Sequence, residues 1–335
     1  MLPLHEGTFP RHRQGQRLRR MYQGLPQKPF MSRFCLKKYL PPCFLLLAAF
    51  IFGISFSAQK SAAEIPPFTL VALRSWIASL FLLLLLPLTD RLQGQKRLFG
   101  AEKKSLFTGK ELIGGLVCGG FLALASILQQ SGIGEGTDAG KASFITALYI
   151  VIVPLLGLVF KRLPRWNVWV SVLVAAVGFF LLCIDGDFRL AGSDLLVLLC
   201  SLGFAMQIVA IDFFAPKGDG VRISCIQFAF TATIATVLAL IFERPIRFDG
   251  FNAYLPYVFY LGIVSSGIGY TLQIVGQKGT PPTAASLILS LESVFGAIAA
   301  AIFLKETLLP KELIGCVLVF AAVILAQLSF QKCKK

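Results

Sequence analysis

Ten apolar stretches fill this chain from about Pro41 to Phe330. A helix needs about 20 apolar residues to cross roughly 30 Å of hydrocarbon. The predicted spans are 41–58, 66–88, 111–130, 139–160, 166–184, 192–212, 222–242, 252–273, 281–304 and 311–330. In lipid every backbone amide must be hydrogen-bonded within the protein, and the short alternating strands of a membrane barrel do not occur in the sequence. The sequence therefore predicts an all-α integral membrane protein with ten transmembrane helices.

The charged residues are few and unevenly distributed. They make up 15% of the 335 residues, whereas soluble proteins carry about a quarter. Of the 32 Lys and Arg, 24 fall in segments that would face the cytoplasm, seven fall in the opposite segments, and Arg74 lies within a span. This is the positive-inside pattern. It predicts a multi-pass protein of the inner (cytoplasmic) membrane, in contact with lipids, with both termini cytoplasmic. The net charge of +15 therefore does not indicate a nucleic-acid partner.

The second half of the sequence repeats the first. Residues 136–143 read GTDAGKAS, and residues 279–286, which lie 143 positions later, read GTPPTAAS. Just upstream, Gln129 corresponds to Gln273. An internal repeat of this length describes the organisation of the whole fold rather than a local motif.

A repeated block with an odd number of spans enters the membrane upside down, so two inverted five-helix repeats are predicted. Repeat 1 covers residues 41–184 and repeat 2 covers residues 192–330. Residues 1–40 form a basic cytoplasmic tail, and residues 331–335 form a second one. The fifth and tenth spans have almost no polar residues in their middles, which suits either lipid contact or a homodimer surface.

Polar residues within the spans mark the candidate site. A charge at the bilayer centre costs roughly 2.5–3.5 kcal/mol on insertion scales, so a charged residue at this depth is expected to have a function. Glu292 lies near the middle of the ninth span, and its counterpart in repeat 1 is Tyr149. Glu292 is a candidate proton carrier and substrate ligand; the alternative is a structural Glu292 paired with a residue of a neighbouring helix, for example Arg74. Arg74 itself could bind a carboxylate or phosphate through its planar guanidinium group, or it could instead cap backbone carbonyl oxygens.

Five uncharged polar residues form a second group that could line the path of a solute. They are Gln129, Gln207, Gln227, Tyr270 and Gln273. Amides and phenols can orient amino acids, amines or other metabolites without a fixed charge. The alternative for each of them is a hydrogen bond between neighbouring helices.

The sequence predicts no metal site, no cofactor and no catalytic residues. Its eight cysteines are scattered without a Cys-x-x-Cys pair, and the only histidines, His5 and His12, are in the tail. A phosphate-binding G-x-x-x-x-G-K-[ST] loop is also absent, so the chain has no ATP-binding motif of its own. An enzyme is therefore not expected.

The segment 261–328 resembles a known family. Its layout LQ…G…AS…LSLESVFG…LKE…ELIG, together with PPFTLVALRSWIASL in the second span, is similar to the EamA domains of the drug/metabolite transporter superfamily. The resemblance extends over about residues 41–330. It implies a secondary transporter that exposes its site to the two sides in turn. One departure is that an acidic residue usually follows the fourth span, where this chain has Lys161-Arg162.

The leading hypothesis is a secondary transporter of small organic solutes, such as amino acids, related metabolites or drugs, with proton coupling through Glu292. An intramembrane enzyme acting on lipids is an alternative, but it would need a cluster of catalytic groups near a membrane face. A channel is another alternative, and it would need rings of identical polar groups along a pore. Neither pattern is present in the sequence.

Overall fold

The computed structural model describes residues 33–92, 106–159, 166–183, 191–243, 251–306 and 310–331. Most of the predicted N-terminal tail, residues 332–335 and Lys161-Arg162 lie outside these ranges. Residues Leu40–Lys335 form one compact unit. The described residues contain helices and turns but no strand, as expected for an all-α protein.

The helix boundaries follow the predicted spans closely. The helices are α1 (Arg33–Ser61), α2 (Pro67–Leu92), α3 (Gly109–Gly134), α4 (Ala139–Thr146), α5 (Tyr149–Val159), α6 (Trp166–Cys183), α7 (Gly192–Phe214), α8 (Gly220–Phe242), α9 (Phe251–Phe259), α10 (Tyr270–Gln277), α11 (Pro282–Leu289), α12 (Glu292–Ala299) and α13 (Pro310–Gln331). A π-helical segment, Tyr260–Gly269, joins α9 to α10, and a second one, Ala300–Leu304, follows α12.

Within the described residues, eight continuous or nearly continuous helices are long and apolar enough to cross a membrane. These are α1, α2, α3, α4–α5, α7, α8, α9–α10 and α11–α12 with its π segment. Helices α6 and α13 contain shorter apolar stretches, Trp169–Gly178 and Leu313–Ala322. They correspond to the predicted fifth and tenth spans.

Side-chain hydrogen bonds cap the first turns of α3 and α8. Thr108 and Glu111 form a capping box at the start of α3, in which each side chain accepts the other residue's backbone N–H. Asp219 caps α8 by accepting the backbone N–H groups of Val221 and Arg222. These caps satisfy N–H groups that the first helical turn cannot pair.

Two helices are interrupted at equivalent positions, 143 residues apart. The interruption between α4 and α5 covers Ala147 and Leu148, and the one between α11 and α12 covers Ser290 and Leu291. In both, the backbone bonds change from the i→i−4 to the shorter i→i−3 pattern: Leu148 N bonds Ile145 O at 3.2 Å, and Leu291 N bonds Ile288 O at 3.2 Å. A tightened turn inside a helix often marks a functional hinge.

Helices α2 and α8 are antiparallel and are tied together at both ends. At one end Asp90 forms a buried 2.7 Å ion pair with Arg222. At the other end the Glu243 carboxylate accepts the backbone N–H of Phe68 at 2.7 Å and the hydroxyl of Thr69 at 2.7 Å. Asp90 and Glu243 are 153 residues apart, and so are Thr69 and Arg222. The two ends are therefore held by equivalent residues of the two sequence halves.

Helices α4–α5 and α11–α12 are also antiparallel. Gly140 at the start of α4 donates its N–H to Glu306, just beyond the end of the α12 π segment. Ser143 Oγ is 3.4 Å from the backbone oxygen of Ser293. A Cβ on Gly296 would be 2.7 Å from Ser143 Cβ, so glycine is required for the helices to approach this closely.

Candidate functional site

A cavity lies among residues from both sequence halves. Helices α1 to α5 contribute lining residues from the first half, and α7, the α9–α10 helix, α11 and α12 contribute them from the second. None of its lining residues comes from α6, α8 or α13 as far as these helices are described. The volume of this cavity is about 30 Å³. This is enough for a few ordered waters, since one water needs roughly 10–15 Å³.

Seven of the eight predicted site residues line this single cavity. They are Arg74, Gln129, Tyr149, Gln207, Tyr270, Gln273 and Glu292. The eighth, Gln227, does not line it but accepts a hydrogen bond from Gln207 Nε2 at 3.4 Å. The structure therefore brings together polar residues that are dispersed over more than 200 positions of the sequence.

Tyr149 and Glu292 are the first residues after the two helix interruptions. Each is the eleventh residue of its span, counted from Ala139 in a span of 21 residues and from Pro282 in a span of 23. At 1.5 Å per residue this places both about 15 Å from the helix start, near the middle. Both are buried and lie close enough to interact electrostatically. The two side chains approach each other, but neither Tyr149 Oη nor Glu292 Oε1 has a partner among the described residues within normal hydrogen-bond geometry.

Arg74 lies in the same cavity without an ion-pair partner. Its side chain is buried, and Tyr270 is its electrostatic neighbour. The alternative of an Arg74–Glu292 pair is wrong, because no ion pair joins these two described residues. The cavity thus presents one guanidinium and one carboxyl group that do not neutralise each other by contact.

The amide side chains are held by neighbouring polar groups. Gln129 Nε2 donates to Thr146 Oγ1 at 3.0 Å, which links α3 to the end of α4. Gln273 Nε2 donates to Gln207 Oε1 at 3.3 Å, which links α10 to α7. The alternative of a hydrogen bond between helices is therefore met for Gln129, Gln207, Gln227 and Gln273, and all of these except Gln227 also line the cavity.

The cavity contains residues that the sequence did not indicate. The additional polar ones are Ser55, Gln59, Thr146 and Ser265, and the aromatic ones are Phe52, Phe56 and Phe204. Gln59 was missed because the first span was predicted to end at residue 58, whereas α1 continues to Ser61. A buried Gln59 Oε1 without a partner is one more free acceptor here. Thr146 and its repeat counterpart Leu289, which lies 143 positions later, both line the cavity.

Polar contacts close the bundle at both ends of the helices. At the end where α1 stops, Lys60 donates to the carbonyl oxygens of Gly136 and Thr137. Glu306 at this end accepts from the backbone N–H of Gly140, and burial raises the pKa of its carboxyl while that hydrogen bond partly offsets the rise. At the opposite end Lys278 donates to the carbonyl oxygen of Gly218 at 2.7 Å. Lys60 therefore ties the last turn of α1 to the loop before α4, and Lys278 ties two loops together at the other end.

The arrangement provides hydrogen bonds and charge, with aromatic rings beside them. The described residues include no group of three or more His, Cys, Asp or Glu that could hold a metal ion. A guanidinium, a carboxyl, a phenol and several amides converging on an apolar, ring-lined space are what a binding site for a small polar molecule requires.

A family model described as the EamA-like transporter family matches residues 40–184 and again residues 192–328. The chain belongs to this family. As an EamA-like protein it is a multi-pass membrane transporter, and the two matches are the two repeats.

Relatives of this EamA-like chain have the same general description. An "Uncharacterized transporter" of Archaeoglobus fulgidus is 28% identical over 290 residues, which cover 85% of this chain and 84% of the relative. An "Uncharacterized transporter" of Methanothermobacter thermautotrophicus is 24% identical over 276 residues, 78% of each chain. One crystal structure matches with a TM-score of 0.67 at 17% identity, covering 88% of this chain and 99% of that one. That similarity concerns the fold.

Proposed function

We propose that this EamA-like chain is a secondary transporter that moves small organic solutes across the cytoplasmic membrane by alternating access. The proposed solutes are amino acids, related metabolites and drugs of similar size. The observation that carries the proposal is the mid-span cavity, where Tyr149 and Glu292 each have a polar atom without a hydrogen-bond partner and Arg74 has no ion-pair partner among the described residues. In a carrier these groups find their partners on the solute.

The proposed topology has ten spans arranged as two inverted repeats, 41–184 and 192–330, with both termini in the cytoplasm. Antiparallel packing of α2 with α8 and of α4–α5 with α11–α12 supports the inversion, because equivalent helices of the two halves then run in opposite directions. Helices α6 and α13 serve as the fifth and tenth spans, and their exposed apolar side chains, such as Val177 and Val317, suit contact with lipid.

The charges in the cavity support a solute that has both a carboxylate and an amine. Arg74 can bind a carboxylate through two parallel hydrogen bonds. Glu292 and the Tyr149 hydroxyl can receive an ammonium group. The rings of Phe52 and Phe204 provide apolar surface for the remainder of such a solute. An amino acid fits this pattern.

Glu292 is the proposed coupling residue. It is the carboxyl of the cavity, it is buried at mid-span, and its Oε1 has no donor. A carboxyl group in this position can take up a proton from one side and release it to the other when access changes. The interruptions before Tyr149 and Glu292 are the proposed hinges, since they occupy matching positions in the two halves.

The test is transport by purified protein in liposomes. Uptake of a panel containing the proteinogenic amino acids and common organic acids and amines is measured with and without an imposed pH gradient, with empty liposomes as the control. A saturable flux that is accelerated by the same solute on the opposite side is expected for a carrier. Absence of flux and exchange for every solute would contradict the proposal, and flux without saturation or exchange would favour a channel.

A further inference from the structure

Four buried glutamines form one chain of side-chain hydrogen bonds beside the cavity. Gln277 Nε2 donates to the backbone oxygen of Ile208 at 3.1 Å. Gln273 Nε2 donates to Gln277 Oε1 at 3.4 Å and to Gln207 Oε1 at 3.3 Å. Gln207 Nε2 then donates to Gln227 Oε1 at 3.4 Å. Gln207 and Gln273 line the cavity, whereas Gln227 and Gln277 lie behind them.

The backbone contact at Gln277 fixes the direction of the whole chain. A carbonyl oxygen only accepts hydrogen bonds, so the amino group of Gln277 must point to Ile208, and its Oε1 must point to Gln273. The amino group of Gln273 must then donate to Oε1 of both Gln277 and Gln207. The amino group of Gln207 must in turn donate to Oε1 of Gln227. A reversed amide at any position would set two amino groups or two oxygens against each other.

This direction decides what the cavity offers to a solute. Both N–H groups of Gln273 are used within the chain, so its Oε1, which accepts no hydrogen bond from the described residues, remains as an acceptor. Gln207 uses one N–H for Gln227 and keeps its second N–H as a donor. A solute therefore meets an acceptor on α10 and a donor on α7.

We propose that Gln277 is a positioning residue for the solute site, because its hydrogen bond to the Ile208 carbonyl sets the donor and acceptor pattern of Gln207 and Gln273. The inference rests on the proposed transport function. It assigns to the solute a hydrogen-bond donor beside an acceptor, as in an amide, an amino acid or a hydroxy acid. Gln277 itself does not line the cavity.

The uncharged amide of Gln277 can set the direction of the chain only if its own hydrogen-bond partner has a fixed direction. The Ile208 oxygen belongs to the backbone of α7, so its direction is fixed by the helix, unlike that of a side-chain amide. At the other end of the chain Gln227 Nε2 has no partner, so this end imposes no direction. The asymmetry between the two ends singles out Gln277.

The first test measures the amide groups themselves. Gln277→Met keeps the length of the side chain and removes both its donor and its acceptor. In protein with 15N-labelled glutamine side chains, this variant is expected to shift the amide cross peaks of Gln207 and Gln273. Gln130→Met is the matched control, because Gln130 is equally buried, does not line the cavity and has no hydrogen bond at Nε2 or Oε1. Loss of only the variant's own cross peak in Gln277→Met would overturn the proposal.

The second test measures transport of the panel amino acid with the greatest flux in the liposome assay. Gln277→Met should raise its KM about three- to tenfold, the equivalent of one hydrogen bond, with little change in kcat or in Tm. Gln130→Met should leave KM unchanged. If Gln277→Met does not fold, Gln277→Leu also removes both the donor and the acceptor that set the direction of the chain, so the same KM change is expected.

The two proposals fail in different ways. Wild-type protein that transports a solute with a KM unaffected by either Gln277 variant would overturn the positioning role and leave the transporter intact. Wild-type protein that transports no solute would contradict the transport function, and the positioning role would fall with it.

Discussion

Tyr149 and Glu292 occupy equivalent positions in the two halves of the protein and face the same cavity. They are 143 residues apart, each begins the helix that follows a two-residue interruption, and each has a polar atom without a partner. A phenol in one half and a carboxyl in the other make the cavity chemically asymmetric, although the helices around it repeat. A single acidic group at this position is consistent with the proposed coupling to one proton.

Replacing Glu292 with Gln should abolish transport driven by a pH gradient, because the amide has the size of the carboxyl but cannot carry a proton. Folding should remain intact, as Glu292 Oε1 has no hydrogen bond to lose. Gradient-driven uptake in liposomes measures the first effect, and gel filtration with thermal unfolding measures the second. Normal gradient-driven uptake by Glu292→Gln from acidic to alkaline pH would show that the coupling role is wrong.

Replacing Tyr149 with Phe should raise the KM for the transported solute about two- to tenfold, the effect of one lost hydrogen bond. The amount of folded protein should be unchanged, because the hydroxyl has no partner within the described residues. Uptake kinetics and quantified expression are the measurements. Unchanged kinetic constants would assign Tyr149 to helix packing instead.

The contact between α4 and α12 provides a steric prediction. Gly296→Ala would bring a Cβ to 2.7 Å from both Cβ and Oγ of Ser143, so the helices must separate, at a cost of about 1–3 kcal/mol. Gly120→Ala is the matched control, since its Cβ would meet only Phe230 at 3.7 Å. Thermal unfolding in detergent should show a lower Tm for Gly296→Ala alone. Equal Tm values would mean that this contact is not required.

The buried pair Asp90–Arg222 should stabilise one end of α2 and α8. Asp90→Leu alone leaves the Arg222 guanidinium buried without its counter-charge, with the Leu106 carbonyl as a remaining acceptor, and is expected to cost about 3–5 kcal/mol. Asp90→Leu combined with Arg222→Met removes both charges and should recover much of the loss. Thermal unfolding of the two single variants and the double variant gives the coupling. Additive losses would show that the pair contributes no interaction energy.

Glu306 should make stability depend on pH. Burial raises the pKa of this carboxyl in the folded protein, so the folded state binds a proton more tightly than the unfolded state. Stability contributed by protonated Glu306 is therefore full below the ordinary carboxyl pKa and is lost as pH rises through the raised pKa. Glu306→Gln cannot ionise and should flatten this part of a Tm-against-pH profile. A profile identical to that of the wild type would contradict the assignment.

Much of the candidate site could be predicted from the sequence, because polar residues are conspicuous inside apolar spans. The polar residues identified in this way include Glu292 and Arg74, and seven of the eight predicted residues line the cavity. Gln59 was missed because an apolar run does not mark where a helix ends. Gln277 was missed because it is the last residue of its helix and carries no charge. Its significance depends on Ile208, which is 69 positions away.

The sequence by itself determined that the chain is helical and membrane-spanning and that it is built twice. Hydrophobic length and internal repetition can be read from the order of residues alone, and lipid forces the backbone of each apolar run to satisfy its own hydrogen bonds. Only the tertiary structure decided which polar side chains meet. In the structure Arg74 and Glu292 line one cavity without forming an ion pair, and four glutamines form a chain of hydrogen bonds. Such pairings depend on helix rotation and close packing between residues that are far apart in the sequence.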